Sequence, residues 1–269
     1  MSAVGKPKIV LLGQKDPAKE VELTADEGPF ESWLAVAQDM WGIGNLTPFD
    51  SVFASRAIGT IVPTQGGNFG SICYQLGSRL FTFSREGGIW IDAFEGEPTL
   101  SKLEKRPKDK VKLAIWSPGK KQLGTNRLTH LAVLSPSRLK GSQETLIKEA
   151  AGALKKNAQV FYADVLYGPQ GKAIKGKPQL ARPEDVKYWF ECAGLKYYSE
   201  LDITTDIRVA LLRGLHNSLN MLANIRKLHE PWRGQRLKAF EKELEDAVNL
   251  HLAIERNETI AMGFYYTKG

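Results

Sequence analysis

The chain is poor in cysteine and histidine. Cys73 and Cys192 are the only cysteines among 269 residues, too few for a disulfide framework or a thiolate metal cluster, and each falls in a segment read as helical. The four histidines, His130, His216, His229 and His251, stand apart, without the HxxxH or HExxH spacing of a catalytic zinc site, so no metal site is predicted. No apolar run approaches the roughly 18 residues of a membrane span, and the N-terminal segment lacks the long apolar core of a secretion signal. A reducing cytoplasm is the expected compartment. Charge of one sign is not concentrated either: 37 Lys+Arg against 30 Asp+Glu give a net +7 spread along the chain. The densest basic sets, Lys102 to Lys112, Lys172 to Lys177 and Arg226 to Lys238, lack the regular aromatic interleaving that base stacking requires. Nucleic acid is therefore not the expected partner. Internal repeats and low-complexity linkers are absent as well.

What is present is a core-forming composition, 42% hydrophobic, arranged as alternating strand and helix patterns. Residues 1–27 hold two short apolar runs around a polar segment, an N-terminal arm or small hairpin. Helices are predicted over 29–43 and 49–57. The run Ile61-Val62, ending at Pro63, reads as a strand over 59–63. A turn, Gln65-Gly66-Gly67-Asn68-Phe69-Gly70, follows, and Ile72, Leu76 and Leu80 then recur at helical spacing. A second strand through Ile89-Trp90-Ile91 leads to Glu95.

Downstream, strands are read at 111–116, 128–134, 159–166, 195–203 and 259–267. Helices are read at 143–154, 183–193, 205–227 and 232–256, with a short one opening at Glu97-Pro98. Such alternation predicts an α/β fold, a doubly wound and mostly parallel seven-stranded sheet with helices on both faces. Glycines in a turn let the backbone approach a ligand, a helix N-terminus offers unpaired amides, and a strand-end acid can accept bonds from ribose hydroxyls. The turn does not spell GxGxxG, which counts against a nicotinamide dehydrogenase.

Taken in order, these segments resemble the class I S-adenosylmethionine-dependent methyltransferases of the small-molecule type, over roughly residues 29–269. Trp41-Gly42-x-Gly44 looks like the lid segment ahead of the first strand. Phe94-Glu95-Gly96-Glu97-Pro98 falls where the family has its strand-end acid, and Leu154 to Val160 resembles the "LKPGG" turn. Arg182 to Leu195 looks like the late helix ending in "AGF", and Gly263 to Lys268 fits the reversed last strand.

The resemblance implies a single domain over 28–269 with a helical lid at 28–57, a last strand antiparallel to the rest, and S-adenosylmethionine as cofactor. Its binding residues would be Gln65, Gly66, Gly67, Asn68, Phe69, Gly70 and Glu95, with Trp116 and Ser117 bordering the adenine. Glu95 has a plain alternative as an exposed strand-end carboxylate. His130, Asp164 and Tyr162 are candidate catalytic residues, against structural roles for His130 within its strand and Asp164 as a loop cap. Aligned on the family's strand-end acid and GxGxG, the chain places Pro63 at the acid, Gln65 at the first glycine and Phe69 at the third. These departures favour a descendant with lost or altered cofactor binding, a pseudoenzyme acting in binding or assembly with a protein partner. The alternative is an active methyltransferase on a small-molecule substrate. A homo-oligomer is compatible with both readings.

Overall fold

The computed structural model describes residues 8–10, 20–22, 28–42, 45–61, 67–73, 88–96, 111–120, 123–172 and 180–269. Near the N-terminus, β1 (Lys8–Val10) and β2 (Glu20–Glu22) pair antiparallel as a separate two-stranded sheet.

Helix α1 (Pro29–Trp41) opens on proline, whose missing N–H costs nothing in a first turn, and ends at Gly42 with φ +96°. Helix α2 (Asp50–Thr60) begins at Asp50, whose Oδ2 accepts from the Leu46 and Thr47 amides at 2.7 and 3.1 Å and so ties down the loop leading in. Then come β3 (Asn68–Ile72), β4 (Trp90–Glu95), β5 (Val111–Ile115) and β6 (Leu128–Leu134).

Helix α3 (Gln143–Ala153) is capped by Ser142, which accepts from the Thr145 amide. Strand β7 (Leu154–Tyr167) follows, then α4 (Pro183–Cys192), stopped by Gly194 at φ +75°. The remainder is β8 (Leu195–Asp202), α5 (Thr204–Ile225), α6 (Trp232–Glu255) and β9 (Thr259–Lys268).

The large sheet has the order β5-β4-β3-β6-β7-β9-β8. Every neighbouring pair from β5 to β7 is parallel, and β9 runs antiparallel between β7 and β8. The mostly parallel α/β architecture with a reversed last strand is thus the observed one. Central strands are buried on both faces, as helices on either side require. Along β7, Phe161, Ala163 and Val165 join one core with Phe53, Phe69, Leu211 and Phe240. Val160, Tyr162 and Leu166 join the other with Leu131, Ile147, Phe190 and Tyr266. Helices α1, α2, α5 and α6 belong to the first core, and α3 and α4 to the second.

Three helices meet at one residue. The Trp41 and Trp33 indoles on α1 donate to the two carboxylate oxygens of Glu243 on α6 at 2.7 and 3.1 Å. The Trp41 ring lies so close to Gly214 on α5 that a Cβ there would stand 2.0 Å from it. Trp33 and Trp41 are helix-packing residues with their polar ends satisfied.

One expectation is corrected. The first strand of the sheet is not 59–63: Gly59 and Thr60 close α2, and the strand is Asn68–Ile72. Asn68, Phe69 and Gly70 are therefore strand residues rather than a glycine turn. Phe69 lies wholly in the core, and a Cβ at Gly70 would come within 2.6 Å of Leu128. Ile72 ends the strand, and Cys73 lies just past it at φ +57° instead of inside a helix. Gln65, Gly66, most of the helix expected after Ile72 and the one expected at Glu97-Pro98 lie outside the described residues.

Candidate active site

A doubly wound sheet binds ligands beyond the carboxyl ends of its strands, where the direction of strand succession reverses. Here that point lies between β3 and β6: β4 and β5 extend the sheet to one side of β3, while β6 and β7 extend it to the other. The first residues past these two strands, Cys73 and Ser135, are both buried and both left-handed, at φ +57° and +52°. Non-glycine residues in this region are uncommon and costly, and they persist where the surroundings impose them, typically at ligand sites. Each continues the ladder beyond its strand: the Cys73 amide donates to Phe94 O at 3.0 Å and the Ser135 amide to Ala163 O at 2.8 Å. Among the described residues, the buried hydroxyls of Ser71 and Ser135 have no hydrogen-bond partner. Such atoms call for one.

Beside Cys73, Glu95 ends β4. It is buried rather than exposed, and its Oε1 accepts from the Gly96 amide at 2.8 Å, which fixes the carboxylate. Burial pushes the Cys73 thiol well above its ordinary range, and the Glu95 carboxylate adds to that. Cys73 is therefore a poor nucleophile. Trp116, just past β5, is buried, donates its amide to Glu95 O at 2.9 Å and sets its ring edge-on to Phe94. It also lines a cleft of about 290 Å³ with Phe94, Ala114 and Arg127. Ser117 follows in the turn and accepts from the Lys120 amide.

On the other side of the switch point, Asp164 on β7 is buried and accepts from Ser137 N, Ser137 Oγ and Val165 N at 2.9, 2.7 and 2.9 Å. The Tyr162 hydroxyl lies 3.4 Å from Asp164 Oδ2 and 3.0 Å from Gln143 Oε1. Burial raises the Asp164 carboxyl to about 7, despite those hydrogen bonds, and lifts Tyr162 well above its usual range. The pair anchors the 3-10 turn Pro136–Arg138. From that turn Arg138 reaches Asp50 at 3.9 Å, linking the strand ends to the start of α2.

The structure thus brings Glu95, Trp116, Ser117, Asp164 and Tyr162 to the carboxyl side of the sheet. It does not bring His130 or Asn68 to Gly70 there. His130 pairs in register with Phe69, at the amino half of both strands, stacks on that ring at 6.4 Å between centroids and has Nδ1 2.9 Å from Thr129 Oγ1. Gly67 immediately precedes β3, also at the amino end. Sequence reading missed Ser71, Cys73, Ser135, Ser137 and Arg138. The signal for Ser71 and Cys73 was the placement of β3, and the signal for Ser135, Ser137 and Arg138 was the end of β6, already read at Leu134.

With the first strand of the sheet at Asn68–Ile72, Pro63, Gln65, Gly67 and Phe69 do not follow its carboxyl end. A second groove, of about 490 Å³ and lined by residues including Trp41, Val52, Arg56 and Arg213, contains none of these strand-end residues. Among the described residues no cluster of His, Cys, Asp or Glu is placed to hold a metal, and no helix is long and apolar enough to cross a membrane.

This architecture is the class I S-adenosylmethionine-dependent methyltransferase fold. No family model matches the sequence, and no curated protein matches it. The likeness is to solved structures. Phosphoethanolamine N-methyltransferase 2 from Haemonchus contortus, in complex with S-adenosyl-L-methionine, superposes with a TM-score of 0.72 at 12% identity over 90% of this chain and 57% of that one. The chain therefore spans little more than half the length of that enzyme. Geranyl diphosphate C-methyltransferase from Streptomyces coelicolor, with Mg2+, geranyl diphosphate and S-adenosyl-L-homocysteine, gives 0.60 at 11% identity over 91% and 86%. The [4+2]-cyclase SpnF gives 0.61 at 11% identity over 81% of each chain. One fold thus carries different chemistries.

Proposed function

We propose that the strand ends at the β3/β6 switch point bind S-adenosylmethionine and that the chain transfers its methyl group to a small-molecule acceptor. The observation that carries this reading is the pair of buried left-handed residues, Cys73 and Ser135, beside the unpartnered hydroxyls of Ser71 and Ser135. Glu95 would accept from the ribose hydroxyls, Trp116 and Ser117 would border the adenine, and Ser71 and Ser135 would meet the polar amino-acid end. When bound, the cofactor supplies an electrophilic methyl group on a sulfonium. The protein's part is alignment and exclusion of water, so a dedicated base is not a precondition. Asp164 and Tyr162 act by holding the Pro136–Arg138 turn, and residues 28–57 form the lid over the cleft. The cytoplasm is the compartment that fits the two free thiols.

A second reading, a non-catalytic descendant that binds a protein partner, is favoured by one observation. The residues around the end of β3, Ser71, Ile72 and Cys73, include neither an acid nor a glycine. Calorimetric titration of the purified chain with S-adenosylmethionine and S-adenosylhomocysteine separates the two. Binding in the micromolar range is expected, and no heat at millimolar ligand would overturn the methyltransferase reading in favour of the second.

A further inference from the structure

The groove of about 490 Å³ between α1, α2 and α5 has the size of a small-molecule site and contains none of the strand-end residues. Its lining combines a fixed apolar wall with charged groups. Met40, Pro48, Val52 and Val209 supply apolar surface, and the Trp41 ring completes the wall. Met40 and Pro48 are buried, and Trp41 is held by its bond to Glu243 and by its seat on Gly214, so this side of the groove is formed before any ligand arrives.

Charge decides what the groove can hold. Among the described residues that line it the only acidic side chain is Asp206, and Arg56 neutralises it, donating to Oδ2 from Nε at 3.0 Å and from Nη2 as well. Arg213 is left unbalanced, with no carboxylate paired to it among the described residues. One turn further along α5, Asn217 lies on the same helix face, and Ser51 brings a hydroxyl from α2. The lining thus carries one net positive charge beside neutral donors. A free guanidinium with such donors suits a carboxylate, and the apolar wall suits a hydrophobic body attached to it. A dianion such as a phosphate monoester would bring a second negative charge that nothing in the lining offsets, close to Asp206. We propose that the groove binds an organic monoanion, a carboxylate with an aromatic or medium-length alkyl body, its carboxylate on Arg213 and its body against Trp41 and Val52. The site is separate from the strand ends and does not depend on what they bind.

Titration of the full chain with 5-phenylvalerate, read by calorimetry and by tryptophan fluorescence, is expected to give a dissociation constant on the order of 100 µM, and the uncharged 5-phenylvaleramide should bind roughly 10-fold more weakly. Arg213→Gln should weaken the acid roughly 10-fold while leaving the amide, S-adenosylmethionine affinity and far-UV circular dichroism as they were. Val209→Trp, at a position already 42% exposed, fills the groove and should abolish binding of both probes, whereas Arg226→Gln, outside the groove, should change neither. No binding of the acid at about 5 mM, equal binding of acid and amide, or undiminished binding of the acid by Arg213→Gln or Val209→Trp each overturns the proposal. So does displacement of phenylvalerate by S-adenosylmethionine, which would place the probe at the strand ends.

Discussion

Replacing Asp164 by asparagine tests whether this buried carboxyl governs how stability depends on pH. Burial raises the folded-state pKa from 3.8 to about 7, although Ser137 and Val165 donate to the carboxylate. In the unfolded chain the group titrates near its ordinary value. The folded form therefore binds the proton more tightly. The stabilisation is complete below the unfolded value, declines as pH rises and is gone above about 7. At about 1.4 kcal/mol per pH unit the whole span amounts to about 4 kcal/mol, of which about 3 falls between pH 5 and pH 8.

Asparagine does not titrate, and its amide nitrogen must face one of the donors that the two oxygens now receive. The variant should be about 1–3 kcal/mol less stable than its hydrogen bonding would otherwise allow, at every pH. Subtracting variant from wild-type unfolding free energies, measured by urea titration with tryptophan fluorescence, should therefore give a difference that shrinks by about 3 kcal/mol from pH 5 to pH 8. Other carboxyls raised by burial, Asp39, Asp50 and Glu243, slope the same way and cancel in the subtraction. A difference that stays constant across the window would refute the assignment.

Glu95→Gln keeps the shape of the β4 terminus and removes its charge, so S-adenosylmethionine affinity should fall by about 10- to 100-fold in calorimetry, at about 1.5–3 kcal/mol for a hydrogen bond to a charged group. An unchanged affinity would move the ribose elsewhere. Gly214→Ala inverts the usual helix rule. Alanine should gain stability in a helix interior, but here its methyl group meets the Trp41 ring and should cost about 1–3 kcal/mol, read as a Tm lowered by several degrees. A raised Tm would show that the Trp41–Glu243 contact yields freely.

Strands and helices downstream of residue 111 were legible because each carries a clean period and a physical stop, such as Ser142 before α3 or Gly194 after α4. The reversed β9 was legible by resemblance and is observed. The first strand was not. Asn68-Phe69-Gly70-Ser71-Ile72 has low β propensity, and its central glycine reads as a turn. In the fold that glycine makes room for the Leu128 and Leu131 side chains on the neighbouring strand, a tertiary fact with no local trace. Ile61-Val62 offered a stronger apolar signal, yet helix α2 runs on to Thr60. Moving the strand transferred the candidate site from Gln65–Gly70 to Ser71 and Cys73, opposite Ser135 at the end of the correctly placed β6. Glu95, Trp116 and Asp164 kept their places because their own strands were placed independently of it.

The position of β9 between β7 and β8 has a consequence for synthesis. Among the described residues β8 pairs only with β9, and β9 is made after the 22 residues of α5 and the 24 of α6. As the chain leaves the ribosome, β3 to β7 can assemble in order and the helical hairpin can pack on the core they carry, while β8 waits without a strand to join. Until residues 259–268 emerge, the aromatic face that Tyr197 shares with Tyr266 is open to other chains. Newly made molecules stalled at this stage are the ones that should depend most on chaperones, and slowing translation just before β9 should lower the soluble yield more than slowing it just after β3.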